Sequence, residues 1–229
     1  MRKILQGLFL LVFIDAGAQE VYTTNDTLVQ LYNTDRRSTL PIYNGRQFSG
    51  YSPQIEGFPY SFSNDWQTGS VLYDGIWYHD LPIMYDAYQD QVVAKSPNGF
   101  PFVIISEKIE RFILAGHEFV RITSGLPTGF FHLVVEGPVT MYVKRIKQLE
   151  EKISSLTVER KFIPEELYFL KKGETVQRIR RQGDLFDVLK DRKQDIQQFM
   201  RKEDLKFKNN TENVIALVAE FYNKPGRTE

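Results

Sequence analysis

The chain contains no cysteine. That excludes disulfides, thiolate metal sites, cysteine nucleophiles and lipidation of an amino-terminal cysteine. At 229 residues the chain can bury a core that needs no covalent staple. Histidine is scarce: His79, His117 and His132 are the whole supply, and no H-E-x-x-H or H-x-H spacing joins them. There is no G-x-S-x-G, no Gly-rich phosphate loop, no EF-hand pattern and no dinucleotide fingerprint. Net charge is zero, from 29 Lys and Arg against 29 Asp and Glu, so the basic excess that nucleic-acid binding wants is missing. Beyond the first twenty residues no apolar run approaches the ~18 residues of a membrane span, and no transmembrane helix is expected in the mature chain. No catalytic residue, metal ligand or cofactor is nominated, and the pattern weighs against an enzyme.

What is present begins at the amino terminus. Arg2 and Lys3 precede an apolar stretch from Ile4 to Ile14, followed by Ala16-Gly17-Ala18 and Gln19. A positive start, a short apolar core and an A-x-A exit are the parts of a cleavable secretory signal. The expectation is a signal peptide over 1–18, cleavage near Ala18-Gln19, and a periplasmic or outer-membrane-associated protein. Residues 19–40 are polar with scattered apolar positions and read as an extended arm.

Aromatic residues make up 14% of the chain, a composition suited to pleated, half-buried surfaces. Asp74-Gly75 sits between β-prone runs and predicts a two-residue hairpin joining Val71–Tyr73 to Ile76–Tyr78, because both central positions need positive φ. Further strands are expected at Ile83–Tyr85, Gln91–Lys95, Phe102–Ser106, Ile109–Leu114, Glu118–Ile122, Phe130–Val135 and Thr140–Ile146. Short strands with regular turns imply an antiparallel meander, a sandwich or an incomplete barrel.

The composition then changes. Residues 19–143 carry seven Lys and Arg against thirteen Asp and Glu, whereas residues 144–229 carry twenty against fifteen. That shift suggests an antiparallel β domain over 19–147 and an α+β module over 148–229, with or without a shared core. Gln148 to Arg160 reads as a short helix or a linker. Tyr168–Leu170 and Thr175–Ile179 form a second hairpin candidate. Two helices should close the chain. Leu185 to Met200 would follow an Asp184 cap, and Val214, Leu217, Val218 and Phe221 would line one face behind the Asn209–Glu212 capping signal. Pro225-Gly226 would end the second. The fold class expected is α+β.

Candidate sites are few, and each has a plain structural explanation beside it. Trp66, Tyr73, Trp77, Tyr78 and Tyr85 form an aromatic group that suits stacking on a sugar ring, or simply the two faces of a sheet. Asp74, Asp80, Asp86 and Asp90 supply carboxylates for glycoside chemistry, or serve as turn residues. The histidines can converge across strands, or stand solvated at turns. Arg178, Arg180 and Arg181 form a basic patch for an acidic partner or an anionic lipid surface, or a solvated face.

The run Gly69–Val93, together with Lys108-Ile109, Phe112, Gly129-Phe130-Phe131 and the tail from Leu189 through Phe221-Tyr222-Asn223, resembles exported proteins of Gram-negative bacterial envelopes that have no established activity. The resemblance implies export and a β-rich body with a helical tail, and it assigns no functional residue. The expected function is an exported, non-enzymatic binding or scaffold protein that meets an envelope protein, a glycan or anionic lipid, and no nucleic acid. The alternatives are a glycan-binding or carbohydrate-active protein using residues 66–90, and a half-open barrel carrying an apolar ligand.

Overall fold

The computed structural model describes residues 40–154 and 157–224. The signal peptide expected over 1–18, the arm expected over 19–40 apart from Leu40, and the expected Pro225-Gly226 stop lie outside the described residues.

The fold is α+β. One antiparallel sheet of eleven strands has the order β1-β5-β4-β3-β2-β6-β7-β8-β9-β10-β11. The strands are β1 (Arg46–Gln47), β2 (Gln67–Tyr73), β3 (Ile76–Asp86), β4 (Gln91–Lys95), β5 (Pro101–Val103) and β6 (Ile109–Leu114). They continue as β7 (His117–Ile122), β8 (Gly129–Val135), β9 (Val139–Ile153), β10 (Val158–Lys172) and β11 (Thr175–Ile179). Three helices follow: α1 (Gln182–Val188), α2 (Lys193–Lys202) and α3 (Thr211–Asn223). No helix among the described residues is long and apolar enough to cross a membrane.

The β2–β3 hairpin turns at Asp74 and Gly75, with φ of 50° and 76°, as a primed two-residue turn requires. From β2 the sheet grows in both directions, and it curls until the β3–β4 turn meets β8 and β9. The Lys147 amide donates to Ala87 O at 3.1 Å. Asp90 accepts from Lys144 at 2.6 Å, from Tyr85 Oη at 2.6 Å and from the Phe130 amide at 3.3 Å. Burial pulls the Lys144 ammonium below its ordinary pKa, while the Asp90 charge opposes that pull.

Inside the curl, Tyr85, Phe112, Phe119 and Phe130 fill the core, with Phe112 and Phe119 stacked at 4.6 Å. Alternation places Met84, Val93 and Val103 on the opposite face, under Phe48 and Tyr60. A further apolar cluster lies where the helices cover β8 to β11, built from Met141, Val143, Leu170, Leu185, Ile196 and Val218.

Residues 148–153 and 158–160 are strand, not the short helix or linker expected over 148–160. β9 runs unbroken from Val139 to Ile153, so the change in composition at residue 144 falls inside a strand. The stretch expected as one helix from Leu185 to Met200 is two helices with a 3-10 turn at Lys190–Arg192 between them. Arg192 holds that corner by donating to Tyr222 O at 2.8 Å, satisfying a carbonyl at the end of α3. Asp184 lies at the third position of α1 and accepts from the Arg180 and Arg181 amides. Asn210, not Asn209, caps α3 by accepting from the Asn213 amide at 3.2 Å. The buried stripe of α3 is Val214, Ile215, Val218 and Ala219, while Leu217 is only half-buried. The helix is rotated toward its neighbours by about one position relative to the expected stripe.

Candidate functional site

β9 and β10 are 15 residues each and outrun their neighbours. β8 pairs with β9 only through Val143, and β11 pairs with β10 only from Tyr168 onward. Residues 144–153 and 158–167 therefore continue as a two-stranded arm. A bare two-stranded ribbon is marginal in water. Here it is braced by three opposite-charge rungs: Lys152 opposite Glu159, Glu151 opposite Arg160, and Glu150 opposite Lys161. Cross-strand pairs of this kind add roughly 0.2–1 kcal/mol each. Arg160 reaches Glu151 at 2.8 Å. At the tip, Ile153 and Val158 face each other across the ribbon with 78% and 53% of their surface exposed.

The two edges of the arm differ. On β10, Glu56 lies alongside, donating to Arg160 O at 2.9 Å and accepting from the Phe162 amide at 3.0 Å. Lys161 adds an ion pair to the Glu56 carboxylate, and Tyr51 and Tyr88 pack edge-on against Phe162. Pro164 removes the next outward N–H. On β9 the outward-facing residues are Lys147, Leu149, Glu151 and Ile153, by alternation from the same pairing. Lys147 bonds Ala87; beyond it, the outward backbone groups of Leu149, Glu151 and Ile153 meet no partner among the described residues.

The root of the arm is a charged knot. Arg145 on β9 is paired in register with Glu166 on β10 and forms an ion pair with it. Arg145 also makes a two-pronged contact with Glu212 in the first turn of α3, at 2.7 and 2.8 Å. The same guanidinium donates to His132 Nδ1 at 2.9 Å, and His132 Nε2 lies 3.1 Å from His117 Nδ1. Arginine only donates, so His132 accepts at Nδ1, carries its proton on Nε2 and donates to His117. His117 then carries its proton on Nε2. Burial, reinforced by Arg145, pulls His132 down to about 3, and burial lowers His117 as well. Phe62 stacks on His117 at 4.4 Å and holds φ of 64°, a strained value for a bulky residue. The knot joins β7, β8, β9, β10, α3 and the loop before β2. Its chemistry is that of a clamp, with every carboxylate engaged and both imidazoles neutral.

Comparison with protein-family models, curated proteins and solved structures returns no match.

The aromatic residues expected to form a site are split: Tyr73, Tyr78 and Tyr85 gather in one core cluster, and Trp66 and Trp77 are outside it. Tyr73, Tyr78 and Tyr85 are buried, at 1%, 5% and 0% exposure. Their rings belong to the core inside the curl. Trp66 lies with the cluster on the other face, with Lys95 Nζ 4.8 Å from its ring centroid. Trp77 stacks on His79 at 5.9 Å. Asp74 pairs with Lys108, and Asp86 is buried and accepts from Tyr51 Oη, Gln91 Nε2 and the amides of Tyr88 and Gln89. Asp80 is exposed. Arg178 lies 3.9 Å from Glu165, Arg181 pairs with Asp184, and Arg180 is exposed. Among the described residues, no group of three His, Asp or Glu side chains is placed to share a metal ion.

Sequence reading missed Phe62, Arg145, Glu166 and Glu212. The capping pattern assigned Glu212 to another role. The Asn cap is one residue later than expected, so Glu212 is not at the capping-box position and its side chain is free to reach Arg145. Beside the knot, a depression of about 590 Å³ is lined by Glu166, Tyr168, Asn209, Asn210, Glu212 and Asn213 among others.

Proposed function

We propose that this is an exported, non-enzymatic binding or scaffold protein of the bacterial envelope, with the β9–β10 arm as its contact element. One observation carries the reading. The arm is braced by charge rungs along its length and clamped at its root, yet it ends in an exposed apolar pair, Ile153 and Val158. Large apolar side chains at the tip of a projecting ribbon gain only when another surface covers them. The envelope address rests on the amino-terminal pattern of Arg2, Lys3 and Ala16-Gly17-Ala18.

The test is site-specific photo-cross-linking in the native host. A photoreactive residue at Val158 should yield a discrete cross-linked species in the envelope fraction, and one at exposed Glu174 in the β10–β11 turn should not. Equal behaviour at both positions refutes the arm as contact element. Mass spectrometry of the same fraction should find Gln19 at the amino terminus; an intact Met1 in the cytosol refutes the address.

A second reading is favoured by the depression beside the knot. Tyr168 offers a ring, and Asn209, Asn210, Asn213, Glu166 and Glu212 offer closely spaced donors and acceptors, a lining suited to a saccharide. Glycan-array binding that is lost in Tyr168→Ala would support this reading. Binding unaffected by that change would remove it.

A further inference from the structure

We propose that two copies of this chain pair through the free edge of β9, antiparallel, with the two-fold axis at Glu151. This rests on the reading of the arm as a contact element and names the partner as a second copy.

The available edge is short and its limits are set by the fold. Ala87 occupies the outward amide of Lys147, and the turn after Ile153 ends the strand. Leu149, Glu151 and Ile153 remain, with unpartnered outward N–H and C=O groups among the described residues. An antiparallel partner that satisfies all three at once must be centred on the middle residue. Glu151 then faces Glu151 of the second copy, and Leu149 faces Ile153. The β10 edge cannot do the same, because Glu56 covers it at Arg160 and Phe162 and Pro164 lacks an N–H.

That register was not chosen for its side chains, yet they agree with it. Within one arm, Ile153 lies opposite Val158, and Leu149 lies opposite Phe162. Pairing two arms extends each rung to four strands. The outer rungs on one face read Val158, Ile153, Leu149, Phe162, an apolar row in which exposed Ile153 gains a neighbour on its open side. On the other face the rungs read Glu159, Lys152, Glu150, Lys161, alternating in sign across all four strands. The same row occurs twice by symmetry. The single like-charge contact is Glu151 against Glu151, and each carboxylate is already held by Arg160, at 2.8 and 3.0 Å. A shift of one rung either way loses the apolar match and leaves an outward amide unpaired.

The absence of cysteine makes the test direct. In the full chain, Glu151→Cys should form a disulfide-linked dimer on mild oxidation roughly tenfold faster than Leu149→Cys, Ile153→Cys or Glu174→Cys, because only residue 151 meets its own copy at ~5.5 Å between Cα atoms. Sedimentation velocity should show concentration-dependent self-association of the unmodified chain. Glu151→Gln should strengthen it, because the like-charge contact is removed. Glu151→Pro should abolish it while the thermal midpoint stays close to that of the parent, since the N–H removed points away from β10. Equal cross-linking at 149, 151 and 153, or undiminished association of Glu151→Pro, overturns the proposal. So does a chain that stays monomeric with no preference for residue 151. If Val158 cross-links to a different protein while the Glu151→Cys variant forms no disulfide-linked dimer, the arm remains a contact element and self-pairing is refuted.

Discussion

Acidification should destabilise this protein through His132, and the effect can be sized. His132 has 5% of its surface exposed, is faced by Arg145 and His117, and is held at a pKa of about 3 against an ordinary 6.5. The folded-state value is depressed, so between the two values the unfolded chain binds more protons than the folded one. Stability is therefore complete above pH 6.5 and is lost as pH falls toward 3. Full linkage for one such group gives about 2 kcal/mol between pH 7.5 and pH 5. Screening through the open side near His117 reduces this to about 1–2 kcal/mol, or roughly 3–6 °C in Tm for a chain of this size. His117 shifts in the same direction and adds to the slope. The carboxylates with lowered pKa, Asp184 and Asp191, titrate below this window. The assay is urea unfolding, followed by tryptophan fluorescence and circular dichroism, at several pH values from 7.5 to 5. His132→Gln keeps an amide that can accept from Arg145 and cannot titrate. Its starting stability should be lower and its pH slope shallower. A slope equal to that of the parent would refute the argument, and so would a parent chain whose stability does not fall over this range.

Arg145→Met should cost about 3–5 kcal/mol in urea unfolding, because it strands Glu212 and leaves His132 Nδ1 without its donor; a loss below 1 kcal/mol would show that the knot is not a clamp. Val218→Asp should be severely destabilising, and Leu217→Asp much less so, because Val218 is fully buried and Leu217 is not. Equal thermal losses for the two would contradict the observed rotation of α3. Gly75→Val should lower stability by roughly 1–2 kcal/mol, since φ of 76° strains a β-branched residue; an unchanged midpoint would rule out the primed turn.

The β body was legible where local chemistry is decisive. Asp74-Gly75 dictates its turn without help from the rest of the chain, and the runs at Ile109–Leu114 and Gln91–Lys95 announce strands by composition and spacing. The helical tail was legible in kind, from apolar periodicity and an Asn cap. The arm was not. Residues 148–160 are mostly polar and charged, with Leu149, Ile153 and Leu156 at i, i+4 and i+7, so taken singly they suit a linker or a solvated helix. Their meaning lies in the pairing of Glu150, Glu151 and Lys152 with Lys161, Arg160 and Glu159, which only the register of β9 against β10 supplies.

The knot was hidden for the same reason. Arg145 and Glu212 are 67 positions apart, and His117 and His132 are 15 apart on different strands. No local rule relates them. Sequence alone determined that the chain is cysteine-free, β-rich in its body and, among the described residues, without a helix long and apolar enough to cross a membrane, because composition and short-range sterics decide those properties. Tertiary structure decided which charges are paired, which histidines are pushed toward the neutral form and which strand edge stays open among the described residues, because each depends on what burial and register bring within hydrogen-bonding distance.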